Sequence, residues 1–127
     1  MLQILLFHPD GRDCNGIRNT LSPGTCEAEL THVRNIQGFL AAMAEWHFDA
    51  ILLDYSPLSN ESAVILETAR RRRPVMPAIA LCAPDAEFEG RRALRDGAAD
   101  YVPGDQLLRL TSTIRRAVAN IESRASA

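Results

Sequence analysis

The 127-residue chain has the length of a single domain, with 46% hydrophobic residues, 24% charged residues and a net charge of −2 at pH 7. This charge argues against a nucleic-acid-binding surface, which usually shows a basic excess, and no apolar run approaches the length of a membrane span. The three scattered cysteines, Cys14, Cys26 and Cys82, suggest neither a disulfide framework nor a zinc site, so a reducing cytoplasm is the expected location.

The first half of the chain predicts three strands separated by two helices. Leu2–Phe7 is an apolar run of strand length that ends in turn residues, and a weakly patterned helix is predicted over Arg12–Leu21. Thr25–Val33 predicts a second strand whose poor alternation is typical of a sheet edge. Asn35 is a suitable cap for the next helix, and the continuous apolar run Ala50–Leu53 predicts a strand that is covered on both faces.

The second half repeats the alternation of helices and strands. The predicted elements are a helix from Ser59 or Asn60 to about Arg73 that Pro74 stops, a strand at Ala78–Cys82, a helix from Asp85 to Gly97, a short strand at Tyr101-Val102, and a last helix with an apolar face from Leu107 to Ile121. Five strands alternating with five helices predict an α/β domain over residues 1–121, with a mainly parallel sheet between two helical layers. Residues 122–127 are small and polar, which is typical of a linker or a terminal tail.

Two conspicuous patterns have structural interpretations. Trp46 follows the second predicted helix and is expected to pack against the core. The run Arg70–Arg73 lies at a helix C-terminus, where the helix dipole favours cations, so a solvated helix end explains it without a nucleic acid or a membrane.

The carboxyl ends of the strands are where a parallel sheet places its ligands and its chemistry. Asp54 stands out there, because an ionised carboxylate that directly follows buried aliphatic residues needs partners or solvent. A helix cap or an ordinary loop carboxylate is the alternative interpretation of Asp54.

Three segments resemble the receiver domain of bacterial response regulators. They are FDAILLDY at 48–55, MPAIALCA at 76–83 and DGAADYV at 96–102, and the likeness extends over essentially the whole chain. The resemblance implies a flavodoxin-like (βα)5 sandwich with strand order 2-1-3-4-5. It also implies that Asp54 stands at the phosphoacceptor position and Tyr101 at the position of the switch aromatic.

The remaining receiver positions depart from the family pattern. His8 and Pro9 stand where the family has two acidic residues that hold magnesium, and Asp10 lies one place further on. Cys82 replaces the family's serine or threonine, and Gly104 replaces its lysine in a chain that contains no lysine at all. Magnesium prefers carboxylate and water oxygens, and a thiol is a weak hydrogen-bond donor, so efficient phosphotransfer is not expected.

The resemblance and its gaps together predict a degenerate receiver rather than an enzyme. We expect it to act in two-component or related signalling, as a homodimer or with a protein partner. The expected contact surface is the one formed by the fourth predicted helix, the fifth strand and the fifth predicted helix. No nucleic acid, membrane or cofactor is expected. One alternative is a working receiver that is phosphorylated on Asp54 and binds Mg²⁺ through Asp10 and Asp54. A second alternative is a flavodoxin-like enzyme or ligand-binding domain.

Overall fold

The computed structural model describes residues 2–9, 17, 28–55, 60–83 and 87–126. Within these ranges the elements are, in chain order, β1 (Leu2–Phe7), β2 (Ala28–Val33), α1 (Ile36–Glu45), β3 (Ala50–Asp54), α2 (Asn60–Arg72), β4 (Ala78–Cys82), α3 (Glu87–Asp96), β5 (Asp100–Pro103) and α4 (Leu110–Ser126), with a short 3₁₀ turn at Leu107–Arg109 before α4.

The helix predicted over residues 12–21 lies outside the described residues, apart from Ile17, which is helical and buried. The labels α1 to α4 therefore correspond to the second to fifth predicted helices. The predicted positions Asp10, Ser59 and Asp85 also lie outside the described residues, as do residues 25–27 at the start of the second predicted strand.

The five strands form one parallel sheet in the order β2-β1-β3-β4-β5, as predicted. The sheet is flavodoxin-like, and β2 lies at one edge, which its weak hydrophobic alternation predicted. Central strands β3 and β4 are buried along nearly their whole length because helices cover both faces of a parallel sheet.

Two apolar cores lie on opposite faces of this sheet. Alternate strand residues such as Leu53 face α1, α2 and α3, whereas their neighbours such as Leu52 face α4 and Ile17. The period-2 alternation of side chains along a strand produces this division. The layers therefore hold the carboxyl ends of β1, β3, β4 and β5 side by side.

Local signals at two helix ends are confirmed by the geometry. The Asn35 side chain accepts a hydrogen bond of 2.8 Å from the backbone N–H of Gly38 at the start of α1. At the end of α3, Gly97 adopts a φ of +116°, and the N–H of Ala98 donates to the carbonyl of Ala93 at 2.9 Å. This left-handed ending satisfies the last carbonyls of α3, as the glycine predicted.

The prediction for Trp46 is wrong. Trp46 is 64% exposed, because it follows the last residue of α1 in an extended conformation that carries its side chain off the apolar stripe of the helix.

The backbone of α4 remains helical to Ser126, beyond residue 121, where the sequence predicts the domain to end; the predicted tail at 122–127 stays a prediction. Over the part of the chain that the structure describes, no helix combines the length and apolarity of a membrane span.

Candidate functional site

The carboxyl edge of the sheet brings together most of the predicted site positions. His8 follows β1, Asp54 ends β3, Cys82 ends β4 and Gly104 follows β5. Since β1, β3, β4 and β5 are consecutive neighbours in the sheet, these four residues lie along one edge. Asp10 lies outside the described residues.

Asp54 is fixed by its backbone and keeps a half-buried side chain. Its carbonyl oxygen accepts a hydrogen bond of 2.7 Å from the hydroxyl of Ser62, a buried residue in the first turns of α2. The next residue, Tyr55, continues the pairing with β4 through a bond of 2.9 Å from its N–H to the carbonyl of Leu81. The backbone of Asp54 is therefore held at the end of the strand, and the residue as a whole is partly exposed.

Cys82 presents a neutral thiol beside this carboxylate. Burial, followed by the negative charges of Glu89 and Asp54, raises the pKa of Cys82 from 9.0 to about 11. The carbonyl oxygen of Cys82 accepts a hydrogen bond of 2.7 Å from the N–H of Gly104, which ties the ends of β4 and β5 together. At neutral pH this position offers a weak S–H donor and no cation.

His8 and Pro9 supply no carboxylate at the end of β1. His8 is buried, its N–H donates to the carbonyl of Val33 at 3.1 Å, and its own carbonyl accepts a bond of 2.9 Å from Nε2 of His32. Pro9 is exposed. The first strand therefore ends in a backbone linked to β2.

The described residues of this edge do not by themselves form a donor set that fits magnesium, the metal that the receiver resemblance implies. Asp54 is the only carboxylate at the end of a described central strand, and His8 and Cys82 contribute an imidazole and a protonated thiol. No cluster of three potential metal-binding side chains occurs among the residues that the structure describes. Magnesium takes oxygen ligands in near-octahedral geometry, so an imidazole and a thiol are poor substitutes.

Gly104 leaves the end of β5 without a side chain. It is exposed, and its N–H is bonded to Cys82. The lysine that a receiver carries at this position would be a cation close to the phosphoacceptor. Here neither this position nor any other in the chain can supply a lysine ammonium group, because the sequence contains no lysine.

No protein-family model matches the sequence, and no curated protein matches it. Solved structures do match. The receiver domain of the Francisella response regulator 1452 aligns with a TM-score of 0.78 at 16% identity, covering 94% of this chain and 98% of that one. A CheY-like receiver domain protein from Methanospirillum hungatei JF-1 aligns with a TM-score of 0.78 at 21% identity and 98% coverage of both chains. NtrX from Brucella abortus, in complex with ADP, aligns with a TM-score of 0.86 at 17% identity, over 98% of this chain and 28% of NtrX.

The chain has the receiver-domain fold. At these identities the likeness establishes the architecture, and the chemistry has to be argued from the residues themselves. On the NtrX alignment the receiver fold forms a minor part of a longer protein, whereas in the other two it forms nearly the whole chain.

Tyr101, at the receiver's switch-aromatic position, packs against α3. A Cβ placed on Gly90 would come within 2.4 Å of the Tyr101 ring, so the ring lies directly on the helix backbone at that glycine. The side chain is half-buried, as expected for a strand tyrosine next to a helix. Whether this ring switches with the state of Asp54 stays a prediction.

One set of hydrogen bonds next to the carboxyl edge of the sheet was not predicted. The hydroxyl of Tyr55 donates to the Asp96 carboxylate at 2.5 Å, and Nη1 of Arg70 donates to the Asp96 carbonyl at 3.1 Å. Burial, then the hydrogen bond with Asp96 and its charge, raises the pKa of Tyr55 to about 12. The residue that follows Asp54 is thereby bonded to the C-terminal residue of α3.

A sequence signal for part of this linkage exists. A tyrosine that directly follows an apolar strand has a buried ring, and a buried hydroxyl needs a partner. The sequence does not identify that partner, because Asp96 is 41 residues away.

Proposed function

We propose that the chain is a receiver-like signalling module of a bacterial two-component or related regulatory protein, acting through protein–protein contacts with little or no dependence on phosphorylation. The observation that carries the proposal is the set of side chains at the carboxyl edge of the sheet. Asp54 keeps its place at the end of β3, while the groups beside it are His8, a neutral Cys82 thiol and Gly104. We propose a cytoplasmic location and no catalytic role.

The electrostatics of phosphoryl transfer support this proposal. An aspartyl phosphate gathers negative charge that a protein stabilises with cations and hydrogen-bond donors placed in advance. Cys82 and Gly104 supply no positive charge, and the negative charges of Glu89 and Asp54 both act on the Cys82 thiol. Loss of one such donor typically lowers a rate by about 100-fold or more.

The competing candidate is a receiver that is phosphorylated on Asp54 with an unusual metal site. The half-burial of Asp54 favours it, because solvent reaches the carboxylate and a phosphodonor can approach. Nothing in the described residues favours a flavodoxin-like enzyme.

The surface that we propose for a protein partner or for a second copy comprises α3, β5 and α4. Leu94 on α3 is 41% exposed, and Leu108 in the turn before α4 is 94% exposed. Arg109, in the turn before α4, and Arg116, on α4, are also exposed. Arginine is enriched at protein interfaces, and the two leucines add apolar area to this surface.

The deciding experiment is an amide NMR spectrum of the isotope-labelled chain with and without magnesium and beryllofluoride. The expected result is an unchanged spectrum at Asp54, Cys82 and Tyr101. Shifts at these residues that disappear in an Asp54→Asn control would contradict the proposal and make the chain a phosphorylatable receiver.

A rebuilt edge provides the positive control. The variant carrying His8→Asp, Pro9→Asp, Cys82→Thr and Gly104→Lys restores the receiver's oxygen ligands, hydroxyl and ammonium on the same scaffold. We expect beryllofluoride to shift the spectrum of this variant but not that of the wild type. If neither protein responds, the missing groups are not what disables the wild-type edge, and this explanation of the proposal fails.

A further inference from the structure

Helix α3 has an unusual distribution of side-chain sizes. Its inner face is formed by small residues, since Gly90 lies against the Tyr101 ring and Ala93 is fully buried. Its large apolar residues lie outside, with Phe88 77% exposed. A helix that supports a core normally buries its large apolar residues, whereas α3 carries Phe88 on its outer side.

The outer face of α3 surrounds this phenylalanine with arginines. Phe88, Arg91, Arg92 and Arg95 recur at intervals of three and four residues, which places them on one side of the helix. They line a hollow of about 410 Å³ together with Asp96.

The arginines of this hollow differ from Arg70 and Arg73 on α2. Arg70 and Arg73 donate to carbonyl oxygens of neighbouring segments, at Asp96 and Met43 respectively. Within the described ranges, no hydrogen bond or ion pair engages the guanidinium groups of the hollow. The Asp96 carboxylate at its rim is already bonded to Tyr55, which limits its capacity to neutralise them.

We infer that the outer face of α3 binds an acidic segment of a partner protein that carries an apolar side chain. The apolar side chain packs on Phe88, and carboxylates on either side pair with Arg91, Arg92 and Arg95, since guanidinium forks match carboxylate geometry. Aromatic residues and arginine are the side chains that most often dominate binding energy at interfaces. The inference rests on the proposed function, because it assigns a partner chemistry to a module that we propose to act through protein contacts.

Other occupants fit this face less well. In a symmetric dimer through this face, the arginines of one copy would need acidic partners on the other, and Asp96 at the rim of the hollow is already bonded to Tyr55. The phosphates of a nucleic-acid backbone would pair with the arginines but make no favourable contact with the central Phe88. The net charge of −2 on the whole chain also disfavours binding to a polyanion.

The probes are two synthetic glutamate-rich peptides, one with a central leucine and the other with serine in its place. Binding to the full chain is measured by fluorescence anisotropy and mapped by amide shifts. We expect the leucine peptide to bind about tenfold more tightly than the serine peptide, with shifts centred on residues 88–96. The substitution Phe88→Ala removes an exposed side chain, so the variant should fold, and it should abolish this tenfold difference.

Two triple variants that lose the same charge at different places test whether binding depends on the arginines of α3 or only on the total positive charge of the chain. Arg91→Gln/Arg92→Gln/Arg95→Gln should weaken both peptides by at least tenfold. The control Arg34→Gln/Arg71→Gln/Arg72→Gln removes the same charge from exposed positions outside the proposed partner surface and should change the affinity less than twofold. Equal losses in the two triple variants, or equal affinity for the two peptides, would overturn the inference.

Two further outcomes would also overturn it. The first is a double-stranded DNA fragment that binds more tightly than the leucine peptide and is indifferent to Phe88→Ala. The second is peptide shifts that fall only on β5 and α4, in which case the proposed function survives and the assigned face does not. Failure of the proposed function is separate, because it is measured as an Asp54-dependent response to beryllofluoride without any peptide.

Discussion

The interior of the sheet and its carboxyl edge are built to different requirements. Leu53 and its neighbours in β3 and β4 are fully buried aliphatic residues, whereas Asp54, one residue further along, is charged and half-buried. The interior needs only apolar volume of the right shape, which many residues provide. The edge of a receiver needs particular atoms, namely carboxylate oxygens, a hydroxyl and an ammonium group. Among the described residues of this edge, Asp54 supplies a carboxylate, whereas Cys82 and Gly104 supply neither a hydroxyl nor an ammonium group. The receiver fold therefore does not by itself establish the chemistry of its edge.

The largest expected effect lies in the interior. Leu53→Ala should lower the free energy of unfolding by about 2–5 kcal/mol, because it removes buried methyl groups and leaves a cavity. The control Leu108→Ala alters a side chain that is 94% exposed and should change stability by less than about 0.5 kcal/mol. Urea unfolding of both variants measures the difference, and similar losses would contradict the assigned burial.

The contact between α3 and β5 should give the next largest effect. Gly90→Ala places a methyl group within 2.4 Å of the Tyr101 ring and should destabilise the fold by about 1–3 kcal/mol, despite the better helix propensity of alanine. In a Tyr101→Ala background the same change should become neutral or stabilising. A double-mutant cycle from urea unfolding measures this coupling. A stabilising Gly90→Ala in the wild-type background would show that the ring is not seated there.

The hydrogen bond between Tyr55 and Asp96 should have a smaller effect on stability, and this effect should depend on pH. Tyr55→Phe removes the hydroxyl that donates to Asp96 and should lower stability by about 1–2 kcal/mol at pH 7. The folded-state pKa of Tyr55 is raised from 10.0 to about 12. The stability that this shift contributes is therefore complete below the unfolded pKa and is lost as the pH rises through the folded pKa.

Wild type and Tyr55→Phe should consequently converge in stability as the pH approaches about 12. The raised pKa of Cys82 adds an alkaline loss of the same sign to both proteins, so it does not obscure the comparison. Urea midpoints at several alkaline pH values provide the measurement. Parallel curves without convergence would mean that the pKa of Tyr55 is not raised in the folded state.

The smallest predicted effects concern the charges around Cys82. Glu89→Gln and Asp54→Asn should each lower the pKa of the thiol, and Glu89→Gln should lower it more, because the charge of Glu89 is the stronger influence. The pH dependence of alkylation, followed by mass spectrometry of the peptide that contains Cys82, distinguishes it from Cys14 and Cys26. A larger shift of the thiol pKa in Asp54→Asn would contradict the prediction, because it would show that Asp54 influences the thiol more strongly than Glu89.

The sequence predicted the parts of the molecule that have local signals. The apolar runs predicted all five strands, and Asn35 and Gly97 correctly predicted one helix start and one helix end. The strand order followed from the resemblance to receivers. Asp54 stood out from its place at the carboxyl end of an apolar strand, and the resemblance then assigned receiver positions to Asp54, Cys82 and Gly104.

Long-range polar contacts could not be predicted in this way. The bonds of Tyr55 and Arg70 to Asp96 join residues 41 and 26 positions apart, and no periodicity in the chain encodes such a pairing. Trp46 was assigned to the core on its residue type alone, whereas its exposure depends on where α1 ends. The outward position of Phe88 was missed for a related reason, since it follows from how closely Gly90 and Ala93 approach the sheet.

The attachment of Asp96 to Tyr55 and Arg70 makes the C-terminal end of α3 a pivot. Phe88 lies eight residues from that point, a lever arm of about 12 Å along the helix, so a tilt of about 10° would swing it by about 2 Å. The Tyr101 ring bears against this arm at Gly90, two residues from Phe88. Displacements at the end of β3, next to Asp54, would therefore be small at the pivot and largest at the exposed phenylalanine.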